Sequence, residues 1–574
     1  MRITTIQNGR AAVAYSTDYR GKSKCKEEGV IGRSTGLLAR WLLRSTSSSL
    51  LFPLSSFHSN PLTQSSGRLF SRHGRRFGLS LLIAGCATQA EQTPVQNPQP
   101  PIVQTPEPPP RGNQVMTPPS ANPSPPTLGP VKPLTVPAVV ERTLPNGLRL
   151  LIVEHHELPI VDFSLVVKSG GETDPAGKDG LATLAASMLD EGTVSRDALQ
   201  IAEQIANLGI SLGTFGGWDA SRVTLHTPTA QLDSALALMA EVALKPSFPD
   251  KELERLRQER LTALLQLKDR GPAIADLAYN FILYGGEHPY GRSLTGTERS
   301  TREITRANLR EFYDTHYRPN NAAMIVVGDV RPDDIQRKVE RLFGAWQRGN
   351  VPPVRIAVPT SATAPTVYLI DKPGAAQSSF RLGTVGVPRA TQDFFPIQVM
   401  NTILGAAFTS RLNNNLRETK GYTYGAGSGF DMRQGAGPFT ARAEIVTAKS
   451  DSALIEFMKE LRGIREPVPS AELEKAKNYL QLQLPSQFET TGGIAARLVP
   501  IALYNLPLDY FNTYSQRIAA VTAADVQRVA RQYVLPEQMH IVIVGDLKTI
   551  EQGIRNLRMG RVELRDWTGK PIVQ

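Results

Sequence analysis

The sequence predicts an α+β fold built twice, as two homologous halves that each pack helices on a mainly antiparallel sheet. Three observations carry this reading. After residue 139, strand-like alternation repeatedly gives way to helical spacing. A strand-to-helix segment recurs: Tyr317-Arg-Pro-Asn-Asn-Ala-Ala-Met-Ile-Val-Val-Gly-Asp-Val330 is echoed by Tyr533-Val-Leu-Pro-Glu-Gln-Met-His-Ile-Val-Ile-Val-Gly-Asp-Leu547, with Gly328-Asp329 and Gly545-Asp546 lying 217 positions apart. The Pro/Thr/Ala-rich stretch 347–365 separates the copies, as a linker between folded units does.

The elements follow in order. Pro145-Asn146-Gly147 is a turn, and the apolar run 148–153 after it is a strand. In 161–167, Val161, Phe163, Leu165 and Val167 alternate onto one face, which predicts a second strand with a buried side. Leu232, Ala235, Leu236, Met239 and Ala243 recur at helical spacing, and Asp250 is expected to cap a helix over 251–266. With the boundary near residue 355, the expected domains are 139–355 and 356–574.

What precedes residue 139 reads differently. The chain has 574 residues and a formal charge of +11, which at first suggests nucleic-acid or membrane-surface partners. Thirteen Lys/Arg against three Asp/Glu precede Cys86, however, leaving 51 basic and 50 acidic residues for the rest. No nucleic-acid partner is expected from so balanced a body. The two cysteines, Cys25 and Cys86, both lie ahead of it, so it can hold neither a disulfide nor a cysteine metal site.

Arg75-Arg76, a short apolar run and Leu82-Ile83-Ala84-Gly85-Cys86 form a lipobox pattern, with Cys86 the expected point of lipid attachment. Residues 1–86 are then a leader, long enough that the translation start is in question, and 87–138 a Pro-rich tether. This places the chain in a bacterial periplasm, anchored to a membrane, and Ala87 after the cysteine resembles lipoproteins sent to the outer membrane. The stretch 29–89 is Arg/Ser-rich with no acidic residue, so a mitochondrial transit peptide is the alternative.

Asn146-Gly147-Leu148, Gly170-Gly171-Glu172, Gly180-Leu181-Ala182, Glu191-Gly192-Thr193, His288-Pro289-Tyr290-Gly291 and the repeated Val-Gly-Asp together resemble the pitrilysin/insulinase peptidase family over about residues 139–560. The resemblance implies two halves facing each other across a chamber. It also implies, in active members, an inverted zinc motif His-x-x-Glu-His on the helix after Gly-Leu-Ala, with the Glu as general base. Here Thr183 and Ser187 stand at the two histidine positions, Ala186 at the base and Gln266 at the third ligand. Hydroxyls, a methyl and a neutral amide are not zinc donors, so no catalytic residue and no metal are expected in this chain.

The second half keeps another family element. Gly405-Ala-Ala-Phe-Thr-Ser410-Arg411-Leu412 leads into Asn415-Leu416-Arg417-Glu418-Thr-Lys420-Gly421-Tyr422-Thr-Tyr424. By the resemblance, Arg417 and Tyr424 bind peptide beside the zinc of another half, where a guanidinium and a phenol can donate to a carbonyl. The implied function is the non-zinc subunit of a heteromeric metallopeptidase, paired with a zinc-bearing chain and peptide substrates. The alternative is a standalone peptide-binding or assembly lipoprotein without proteolysis. The histidines suggest no other metal site: His155-His156-Glu157 reads as an exposed strand end, and His226 and His288 lack spaced partners.

Overall fold

Twelve strands form two six-stranded sheets in the computed structural model, which describes residues 136–360 and 363–572. The leader, Cys86 and nearly all of the Pro-rich tether lie outside the described residues. The first sheet contains β1 (Val140–Thr143), β2 (Arg149–Glu154), β3 (Ile160–Val167), β4 (Ser211–Gly216), β5 (Ser221–Pro228) and β6 (Ala322–Gly328), in the spatial order β1-β2-β6-β3-β5-β4. The second contains β7 (Thr366–Asp371), β8 (Gln377–Val385), β9 (Thr423–Phe430), β10 (Pro438–Val446), β11 (His540–Gly545) and β12 (Arg561–Arg565), ordered β12-β7-β11-β8-β10-β9.

Matching β2 through β6 with β7 through β11 in turn gives the same order in both sheets, so the duplication seen in sequence is a duplication of topology. Most pairs are antiparallel; β2 with β6, and β7 with β11 and β12, are parallel. A second repeat supports the match: Thr229-Ala-Gln-Leu-Asp-Ser-Ala-Leu236 after β5 returns as Thr447-Ala-Lys-Ser-Asp-Ser-Ala-Leu454 after β10, identical at six of eight positions.

Val161, Phe163, Leu165 and Val167 of β3 share one buried face, as their alternation predicts, and the helices Leu232–Leu244, Arg306–His316 and Pro332–Phe343 pack on that side. Asp250 does not cap its helix. Pro249 occupies that position and the helix begins at Asp250, whose charge sits in the first turn where the helix dipole favours it.

The opposite face of the first sheet, with Leu151, Val153, Val166, Ala323, Ile325 and Val327, is covered by the helix Thr491–Tyr504 of the second half through Ile494, Leu498 and Ile501. In return, the helix Gly271–Tyr284 of the first half covers Tyr368, Ile370, Val542 and Val544 of the second sheet. The central strands are therefore apolar on both sides, which is why β6 reads as an unbroken hydrophobic run. The two halves face each other with these exchanged helices between them.

Candidate functional site

The helix Leu181–Ser187, where the zinc motif of active relatives would lie, is fixed at its start by Asp174. That carboxylate accepts hydrogen bonds from the backbone N–H of Gly180 (2.7 Å) and Ala182 (2.7 Å). Burial pushes the Asp174 carboxyl up to about 7, against the pull of these two amides and of Arg260. Thr183 directs its hydroxyl at the carbonyls of Gly180 (3.0 Å) and Leu294 (2.9 Å), and Ser187 donates to Thr183 O (2.9 Å). Ala186 is fully buried. Strand β4 presses on the same helix, since a Cβ on Gly216 would come within 2.6 Å of Thr183 Cα.

Gln266 is exposed near the end of the helix Asp250–Leu267. The atoms at the four family positions are thus spent on backbone carbonyls, buried as methyl, or turned to solvent. They do not fit zinc. Among the described residues, no group of three or more His, Cys, Asp or Glu side chains is gathered to hold a metal.

In the second half, Arg417 lies on the π-helical segment Asn414–Thr419, which packs against β9, the strand carrying Tyr424. Tyr422 N donates to Leu416 O (2.9 Å) and Gly421, at φ +64°, turns the chain between the two elements. Tyr424 is 90% exposed, and the half-exposed Arg417 pairs with Glu418 at 3.3 Å. The sequence pattern singles out these two residues and does not show what fixes them. Asn413 bridges β9 and the preceding loop, accepting from Ala426 N (3.1 Å) and donating to Phe408 O (2.7 Å). The run Asn413-Asn414-Asn415 was the available signal, since asparagines inside a helical segment bond backbone in preference to prolonging it.

The edges of the two sheets differ. On β9, Ala426 N is taken by Asn413, and Ser428 O accepts from Asn401 Nδ2 (3.1 Å). On β4 the outer-edge backbone groups have no partner among the described residues, β5 being the neighbour on the inner side.

Other family motifs hold the halves together. Asp219 accepts from Tyr290 OH (2.9 Å) of the first half and from Tyr504 OH (2.9 Å) and Gln434 N (2.6 Å) of the second. The Arg433 guanidinium lies over the rings of Trp218 (4.3 Å) and Tyr290 (4.6 Å). Buried Arg381 of β8 reaches Asp276 (2.5 Å) on the exchanged helix Gly271–Tyr284. Three of the histidines named from the sequence have polar partners nearby. His288 Nε2 lies 3.0 Å from Ala357 O and its Nδ1 accepts from Tyr290 N (3.1 Å), while His226 sits 3.0 Å from Asp162. Exposed His156 lies between Asp329 (2.8 Å) and Glu154 (3.1 Å).

Two family models match the chain: "Insulinase (Peptidase family M16)" over residues 149–273 and "Peptidase M16 inactive domain" over 303–480. An uncharacterized zinc protease of Mycobacterium leprae is 27% identical over 432 residues, covering 73% of this chain and 95% of its own. One of Rickettsia bellii is 24% identical over 348 residues, 59% of this chain and 82% of its own. Among solved structures, a peptidase M16 inactive domain from Pseudomonas fluorescens is 29% identical with a TM-score of 0.67, covering 71% of this chain and 98% of that one. The periplasmic protease PqqL from Escherichia coli shares the fold at 17% identity and TM-score 0.61, with 74% of this chain spanning 49% of that one.

Proposed function

Because the chain belongs to the M16, insulinase-like peptidase family, and its own zinc positions hold no donor, we propose that it is the non-zinc subunit of a heteromeric metallopeptidase. The observation that carries this reading is a contrast within one molecule. The four first-half positions are chemically silent, while the second half presents Tyr424 and Arg417 to solvent on a strand and the π-helical segment packed against it. Zinc would be supplied by a partner chain. This chain would bind and orient an extended peptide, the Arg417 guanidinium and Tyr424 phenol donating to a peptide carbonyl. Support for pairing comes from PqqL, where one chain spans about twice the length matched here.

The open edge of β4 beside the silent helix favours a second reading, in which peptides add as a strand and are held without being cut. One experiment separates the two. The mature chain is purified from its native membrane, and co-purifying proteins, metal content and peptide cleavage are measured with and without 1,10-phenanthroline. A co-purifying zinc chain with chelator-sensitive cleavage, reduced about tenfold or more by Arg417→Ala and several-fold by Tyr424→Phe, supports the subunit reading. A metal-free chain recovered alone and without cleavage sinks it and leaves peptide binding or assembly.

We further propose that the chain is tethered to a bacterial membrane, the outer one by its Ala87, through lipid on Cys86, with a mitochondrial location as the alternative. No helix among the described residues is long and apolar enough to cross a membrane. Radiolabelled palmitate should enter the wild type and not Cys86→Ala; equal labelling of both would refute the anchor.

A further inference from the structure

We propose that Phe408 is a positioning residue for Arg417, its ring serving as the platform that holds the guanidinium toward a bound peptide. This rests on the reading that Arg417 contacts substrate. The Arg417 Cζ lies 4.7 Å from the centroid of the Phe408 ring, within the range in which a cation is attracted to an aromatic face. The ion pair with Glu418 cannot fix the cation, because it joins sequence neighbours that are both substantially solvated.

The ring is not there to build the core, since Phe408 is 42% exposed. Its backbone, by contrast, is held with care. Asn413, itself almost fully buried, donates to Phe408 O and accepts from Ala426 of the Tyr424 strand, and Asn414 donates to Thr409 O (2.9 Å). A single asparagine therefore fixes the Phe408 backbone relative to β9, and Arg417 follows that asparagine four residues later. The loop is flanked by two π-helical segments, Thr402–Ala406 and Asn414–Thr419. That rare winding occurs mostly at functional sites. Gly405 in the first of them lets its backbone lie directly against Ser428 of β9, where any Cβ would collide.

The test uses the full mature chain in two arms. In the first, arginine modification by phenylglyoxal is followed at Arg417 by peptide mass spectrometry. Phe408→Leu should speed labelling about fivefold, the loss of one cation–π contact, while Phe408→Tyr and Phe408→Trp keep the wild-type rate and all three keep the wild-type Tm. An unchanged rate in Phe408→Leu overturns the inference whatever the activity. In the second arm, cleavage by the natively purified complex is measured in a double-mutant cycle with Arg417→Ala. Phe408→Leu should lower kcat/KM about fivefold in the wild type and have no further effect once Arg417 is gone. Equal losses in both backgrounds would assign Phe408 a separate structural role and overturn the inference. Faster labelling with no effect of Arg417→Ala on cleavage would uphold the contact and sink the subunit reading instead.

Discussion

Glu172 belongs to a motif the chain shares with its family, yet it is 95% buried with neither carboxylate oxygen in a well-formed hydrogen bond. Burial pushes its carboxyl well above the usual range and the nearby Asp219 charge adds to the shift, with the amides of Glu172 and Gly170 offsetting it in part. A glutamate raised in this way contributes stability that is complete below its unfolded value near pH 4.3 and is lost as pH rises through the folded one. Glu172→Gln keeps the shape without the titration. Its Tm should therefore match or trail the wild type at about pH 4 and gain on it steadily toward pH 8; a difference independent of pH would show that Glu172 does not titrate in this range.

At the scale of an element, the helix Leu181–Ser187 shows that a zinc site there would need more than ligand atoms. It is pinned by Asp174 at its first turn, crowded by Gly216 of β4, and has its two hydroxyls committed to carbonyls. Thr183→His, Ala186→Glu, Ser187→His and Gln266→Glu made together should not rebuild a site. Two imidazoles and a carboxylate would enter space packed for smaller groups, and a buried Glu without a partner costs about 2–3 kcal/mol or more. The expected result is a Tm several degrees lower and zinc far below one ion per chain by plasma mass spectrometry. Stoichiometric zinc at an unchanged Tm would mean that the frame is intact and lacks ligand atoms alone.

Across the whole molecule, the exchanged helices make the halves interdependent. Removing Thr491–Tyr504 would uncover six apolar side chains on the first sheet, from Leu151 to Val327, a loss on the order of 10 kcal/mol. That is comparable with the entire stability of an ordinary domain. A fragment of residues 139–355 should be insoluble or lack a cooperative melt when expressed alone, and become soluble when 356–574 is co-expressed. A soluble, sharply melting fragment would show that the exchanged contacts contribute little. The Asp219 hub and the Arg381–Asp276 pair lie at the same joint and should add to the coupling.

Read as a string, the chain determines its doubled α+β plan, because alternation in 161–167 and the recurring Gly-Asp segment depend on local period and order. It also determines the lack of zinc donors at Thr183, Ala186, Ser187 and Gln266, since a side chain's donor atoms are fixed by its identity. Tertiary structure alone decided that each sheet is covered by the other half's helix and that Asp219 gathers donors from both halves. It also decided that β9 is sealed by asparagines while β4 stays open, and that Phe408 lies beneath Arg417. Those outcomes depend on contacts between residues far apart in the chain, 285 positions in the Tyr504–Asp219 bond, and no local pattern encodes them.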